Sequence, residues 1–219
     1  MPPALAPMID HTLLRPDAVA PDVERLCEVA AGYRFKAVCV NPYWVRLSRR
    51  LLADSPVLVC SVVGFPFGAA RAEVTATEAA RAVDDGAHEI DMVLNLGALR
   101  GGDLAAAEAG VSAVRAATEG RVLKVILEAA ALTPDELARA VELAADAGAD
   151  LVKTSTGYHP AGGARVADVA LMHSTLAGRP VGIKASGGVR SREFALELVD
   201  AGATRLGASA SVALVTAED

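Results

Sequence analysis

Four stretches of this chain repeat one layout: "EVAAGYRFKAVCV", "RAVDDGAHEIDMV", "LAADAGADLVKTS" and "LVDAGATRLGAS". In each, an Ala-rich amphipathic segment reaches a glycine (Gly32, Gly86, Gly148 or Gly202), and a short apolar run follows. A glycine at that place reads as a helix C-cap, because a positive φ costs glycine little. The apolar run after it reads as a buried strand. The glycines recur about every 54 to 62 residues, so each interval holds two helix–strand units of about 27 residues, the size of a βα repeat.

The remaining strands fill the intervals. Val57–Val63, Val122–Leu127 and Val181–Lys184 are apolar runs of strand length, and Met8–His11 supplies a short opening strand. With Lys36–Val40, Glu89–Val93, Leu151–Lys153 and Arg205–Gly207 the count is eight. Thr133-Pro134-Asp135-Glu136 predicts a helix start: a capping hydroxyl, a proline in the first turn and two acids near the positive end of the dipole. Eight alternating units in 219 residues predict a single-domain α/β chain over 1–219, folded as a (β/α)8 TIM barrel. A doubly wound open sheet is the alternative, but no G-x-G-x-x-G follows the first strand.

Composition agrees and excludes several function classes. The chain is 53% hydrophobic but 4% aromatic, which suits parallel strands covered by Ala-rich helices. A net charge of −6 and the absence of a basic block argue against nucleic acid as a partner. No apolar run approaches the roughly 20 residues that span a bilayer, so no membrane association is expected. "MPPALAPMIDHTLL" lacks the basic start and long apolar stretch of a signal peptide. The three cysteines, Cys27, Cys39 and Cys60, fit no metal or redox spacing and read as reduced core thiols of a cytoplasmic protein. Twofold dimers are the commonest homo-oligomers, which makes a homodimer the expected assembly.

Active sites of such barrels lie at the C-terminal ends of the strands. The reactive side chains there are Asp10, Asn41, Asp91, Asn95, Glu128, Lys153, Lys184 and Ser209. Lys153, Lys184 and Asp91 belong to strands that can converge over the barrel mouth. Two ammonium groups about 5 Å apart at an effective dielectric near 20 repel by roughly 3 kcal/mol, which favours a neutral amine on one of them. A neutral lysine attacks carbonyls and forms Schiff bases. The residues alone do not say which lysine is the nucleophile. They also leave the plainer reading open, in which each lysine neutralises a carboxylate or extends to solvent. Asp91 either satisfies barrel donors or shuttles protons beside a Schiff base. Lys124 lies four residues before Glu128, on the same face and deeper in the barrel, where it either tunes the charges or pairs with an acid.

Glycine-rich turns follow strands 7 and 8, "ASGG" (Ala185–Gly188) and "GASAS" (Gly207–Ser211), and Gly157 follows strand 6. Such turns expose backbone N–H groups that suit a phosphate, although tight βα connections need glycine as well. His11, His88, His159 and His173 have no metal-ligand spacing and read as structural or surface groups, and no metal site is expected.

Eight blocks in order, "IDHTLLRP", "VCVNP", "VVGFPFG", "EIDMVLNLGAL", "LKVILE", "GADLVKTSTG", "GIKASGGVR" and "GATRLGAS", resemble the 2-deoxyribose-5-phosphate aldolases over nearly the whole chain. The resemblance implies a class I aldolase, without cofactor, that reversibly cleaves 2-deoxy-D-ribose 5-phosphate to D-glyceraldehyde 3-phosphate and acetaldehyde. Its partners are then small phosphorylated sugars and aldehydes. It implies that Lys153 forms the Schiff base, that Lys184 is the charged neighbour favouring the neutral amine, and that Asp91 exchanges protons. Gly157, Gly187, Gly188, Gly207 and Ser209 are implied to hold the phosphate, with Asp10, Thr12, Cys39, Lys124 and Thr154 in support. Four departures stand out. Ala129 and Ala210 replace hydroxyl residues, with Ser211 as the substitute donor at the second position. Thr75 replaces a lysine, and the end "VALVTAED" lacks a tail tyrosine found in some members. Two rivals to this reading are a Schiff-base aldolase for another sugar phosphate or a bare aldehyde, and a sugar-phosphate sensor without turnover. A pyridoxal phosphate site would explain one lysine and leave the second without a role.

Overall fold

A computed structural model describes residues 4–216. The last three residues of the tail "VALVTAED" lie outside them. Eight parallel strands close into one barrel in sequence order. They are β1 (Ile9–Leu13), β2 (Ala37–Val40), β3 (Leu58–Val63), β4 (Glu89–Val93), β5 (Val122–Ile126), β6 (Leu151–Lys153), β7 (Gly182–Ser186) and β8 (Arg205–Ala208). The helices between and after them are α1 (Ala20–Tyr33), α2 (Val45–Leu51), α3 (Ala72–Asp84), α4 (Leu96–Arg100), α5 (Leu104–Ala117), α6 (Pro134–Asp146), α7 (Val166–Leu176), α8 (Arg192–Asp200) and α9 (Ser211–Thr216). The expected (β/α)8 fold is therefore present, with β4 and β6 at the expected bounds and the other strands within a few residues of theirs.

Alternation along each strand divides the side chains between two environments. On β4, Ile90 and Met92 join the outer core under the helices, whereas Glu89 and Asp91 point into the barrel. On β5, Leu123 and Val125 face outward and Lys124 inward. The outer core carries the hydrophobic stabilisation, at about 1.5–3 kcal/mol for each fully buried Val, Leu or Ile. The barrel interior is mixed. Ala37, Cys39, Cys60 and Val62 form a small apolar cluster on β2 and β3. Charged side chains fill the interior from β4 round to β1.

The helix signals held with one exception. Thr133 and Glu136 form the expected capping box on α6: Thr133 N–H donates to Glu136 Oε2 at 2.8 Å, and Glu136 N–H donates to Thr133 Oγ1 at 3.3 Å. Gly86, Gly148 and Gly202 follow helix ends with positive φ. Gly32 does not. It lies inside α1, which runs one residue further, and Arg34 takes the left-handed position with φ 54°. Helix periodicity outlasts the glycine here because Tyr33 continues the turn and stacks on Phe35, with ring centroids 5.6 Å apart.

These two classes of glycine give opposite predictions. A Cβ at Gly32 meets nothing within 4 Å, so Gly32→Ala is expected to raise unfolding stability by about 0.5–1 kcal/mol. Gly202 has φ +117°, and a Cβ there would come within 2.4 Å of His173 Nδ1, so Gly202→Ala is expected to cost about 1–3 kcal/mol. Urea unfolding of the two variants checks both signs.

Candidate active site

Register explains why the expected residues meet. Lys153 on β6 is the direct cross-strand partner of Lys184 on β7, and Asp91 on β4 is that of Lys124 on β5. All four point inward. Asp91 Oδ2 accepts from Lys153 Nζ at 2.7 Å and from Lys184 Nζ at 2.8 Å. Its other oxygen accepts from Lys124 Nζ at 2.8 Å and from the Cys60 thiol at 3.1 Å. One carboxylate therefore ties three lysines together.

The network extends below them. Lys184 also donates to Asp10 Oδ2 at 2.5 Å. Lys124 lies 2.6 Å from Glu89 Oε2, and Arg205 bridges Asp10 at 2.7 Å and Glu89 at 3.0 Å. Four cationic side chains thus face three carboxylates, nearly all out of contact with water. Buried charges survive only when paired and hydrogen-bonded, and this closed arrangement meets that condition. Burial alone would push the Asp91 carboxyl up. The Lys124, Lys153 and Lys184 ammonium groups outweigh it and hold Asp91 well below the usual carboxylate range. Asp10 is likewise lowered against its burial by Lys184, Lys124 and Arg205. Burial disfavours the charged form of Lys184, but Asp10 and Asp91 outweigh it and the group is raised, so it stays protonated.

A cavity of about 410 Å³ opens above this network. Lys153 is the one lysine among the described residues in its wall, and Lys184, Lys124 and Asp91 lie beneath. Gly157, Gly187, Gly188, Gly207, Ser209 and Thr12 also line it. Among the described residues, the backbone N–H groups of Gly157, Gly187 and Gly188 have no acceptor in the protein. Gly207 has a second task. A Cβ there would sit 3.0 Å from Lys184 Cε and 2.9 Å from Ser186 Cβ, so its bare backbone makes room for the Lys184 stem.

The other candidates separate into roles. Thr154 lies outside the cavity wall and joins β6 to β7, donating to Ser186 O and accepting from Ser186 N–H, each at 3.0 Å. Thr12 donates to Asp10 O at 2.8 Å. Cys39 is buried beside Cys60, its register partner, and does not reach the cavity. Cys39, Cys60 and Asp91 place their donor atoms within 4.8 Å of one another, a grouping that their spacing in the chain does not announce. The Lys124 ammonium already fills that corner, 3.3 Å from Cys60 Sγ. Lys124 pairs with Glu89, Asp91 and Asp10, and no bond joins it to Glu128 among the described residues. Asn41 donates to Leu14 O, and Asn95 caps α4.

Ser211 corrects an expectation. Its hydroxyl is buried, donates to Ala208 O at 2.8 Å and lies 2.9 Å from His11 Nδ1, so it does not stand in for a donor at Ala210. Neither Ala129 nor Ala210 lines the cavity. Cys60 read only as a core thiol, and Glu89 and Arg205 escaped notice in the sequence. Their signal was parity: Glu89 lies two residues before Asp91, and Arg205 two before Gly207, on the same inner faces.

Comparison with known proteins gives one family. The DeoC/LacD family aldolases match residues 4–214. Deoxyribose-phosphate aldolase 1 of Bacillus licheniformis is 52% identical over 212 residues, spanning 96% of this chain and 94% of the relative. The deoxyribose-phosphate aldolase of Brevibacillus brevis is 51% identical, spanning 95% and 93%. Among solved structures, the deoxyribose phosphate aldolase of Aeropyrum pernix, described as tetrameric, superposes with a TM-score of 0.89 at 37% identity, covering 96% of this chain and 88% of that one.

The network sets an acid limit. Asp91 and Asp10 have native values below the unfolded one, so their contribution to stability is present above about pH 4 and is lost as pH falls through that value toward the native ones. Thermal melts are expected to stay level from about pH 8 to 5 and to drop below about pH 4. A midpoint unchanged down to about pH 3 contradicts this account.

Proposed function

The chain belongs to the DeoC/LacD aldolase family and is an aldehyde-lyase for deoxyribose phosphate, and we propose that it works through a Schiff base on Lys153. The observation that carries this is the placement of Lys153 alone in the cavity wall, while its register partner Lys184 is held below between Asp10 and Asp91. Lys153 attacks as the neutral amine, its proton passing to solvent before the attack. The free amine adds to the aldehyde carbon of the open-chain sugar, and loss of water gives a protonated imine. A water linked to Asp91 takes the proton of the C3 hydroxyl, and the C2–C3 bond breaks, its electron pair passing to the imine. Glyceraldehyde 3-phosphate leaves; the acetaldehyde enamine is protonated at carbon and hydrolysed.

Asp91 changes character during this cycle. Three ammonium groups hold it ionised in the resting site. Converting Lys153 to a neutral amine removes one of them, which makes Asp91 a better proton acceptor. Lys184 stays charged. The phosphate reading rests on the unpaired amides of Gly157, Gly187 and Gly188, with the Arg190 side chain, which has no carboxylate partner among the described residues, also facing the cavity. Binding energy gained at the phosphate orients the reacting carbons over Lys153.

A homodimer is proposed as the assembly, and sedimentation distinguishes it from the tetramer described for the Aeropyrum relative. No helix among the described residues is long and apolar enough to cross a membrane. Three buried free thiols suit a reducing compartment, on which ground a cytoplasmic location is proposed.

Trapping tests the chemistry. After acetaldehyde and borohydride treatment, peptide mass spectrometry is expected to find the adduct on Lys153; an adduct on Lys184, or only on surface lysines, overturns the assignment. Lys153→Arg is expected to lower kcat by roughly a thousandfold or more in a coupled assay of acetaldehyde release.

A further inference from the structure

One buried carboxylate stands apart from the ionic network. Glu128 follows β5 and has no cation partner among the described residues. Its backbone is left-handed, with φ 52° and ψ 51°, a conformation that residues with a Cβ adopt at a cost. The strain directs the side chain across to the segment after Lys153. There the carboxylate accepts from Thr156 N–H at 3.1 Å (Oε1) and 3.3 Å (Oε2), and from Thr156 Oγ1 at 2.5 Å. Thr156 Oγ1 in turn accepts from Tyr158 N–H at 3.0 Å. The backbone adds a further tie, Ala129 N–H donating to Thr154 O at 2.8 Å.

The consequence falls on Gly157. Both of its neighbours are locked, Thr156 by Glu128 directly and Tyr158 through the Thr156 hydroxyl, and Gly157 keeps an unpaired N–H in the cavity wall. Gly157 also packs on the Gly187 turn: a Cβ on Gly187 would lie 3.5 Å from Gly157 Cα. We propose that Glu128 is a positioning residue for the phosphate end of the substrate, fixing the Gly157 amide against the Gly187–Gly188 turn, and so helps set the preference for phosphorylated over unphosphorylated sugar. A buried, strained carboxylate is costly merely to close a loop, since a serine or asparagine can bond backbone at lower cost. Its three-point grip on one threonine suits a loop that must hold its geometry against a charged ligand.

The inference rests on the phosphate reading given above, and the test separates the two. The measured quantity is the ratio of kcat/KM for 2-deoxyribose 5-phosphate to that for 2-deoxyribose. Glu128→Gln keeps the size but turns an amide N–H₂ toward Thr156 donors, and the ratio is expected to fall at least tenfold. Thr156→Val removes the hydroxyl and is expected to lower the ratio likewise, while Thr156→Ser restores it. If Glu128→Gln does not fold, the Thr156 pair decides alone. An unchanged ratio, even with a lower overall rate, overturns the role of Glu128. A wild-type enzyme with no preference for the phosphorylated sugar overturns the phosphate reading, and this inference falls with it.

Discussion

The structure turns on a single carboxylate, Asp91, that accepts from Lys124, Lys153 and Lys184 inside a closed barrel. Each of those ammonium groups would be costly to bury alone. Together with Asp10, Glu89 and Arg205 they form a set in which nearly every charge has an opposite partner. The set fills the barrel interior from β4 round to β1, where other barrels place apolar layers. Packing there is therefore electrostatic, and its stability depends on pH as apolar packing would not.

That arrangement also divides labour by depth. Lys184 and Lys124 stay charged because acids surround them at the bottom. Lys153 sits one layer up, in contact with the cavity and with one carboxylate. The same strand ends carry the backbone amides that face the cavity, so the cavity-facing lysine and the cavity-facing amides share rigid supports. Glycine serves both ends: Gly207 clears space for the Lys184 stem, and Gly163 lets its segment lie against Gly187, where a Cβ would come within 2.2 Å of Gly187 O.

Much of this was legible in the chain. Repeated helix–glycine–strand blocks gave the barrel and its eight strands, and strand ends named Lys153, Lys184 and Asp91. Other readings needed correction for local reasons. Gly32 continued a helix because nothing at that point breaks it, and Arg34 supplied the left-handed residue instead. Ser211 was expected beside the phosphate, but it opens α9 with its hydroxyl turned to Ala208 O. Glu89 and Arg205 lay in plain view, two residues from positions already singled out, yet parity alone did not say that their charges would meet.

The sequence by itself determined the architecture, because hydrophobic periodicity and turn chemistry are local and each βα unit repeats them. It also determined which reactive residue types stand at strand ends. Only the tertiary structure decided which lysine meets the cavity and which is sealed below it. That difference depends on cross-strand register and on the three acids contributed by β1 and β4, up to 174 residues away in the chain. Burial and pairing energies are set by what surrounds a charge in space, and closure of the barrel is what brings those surroundings together.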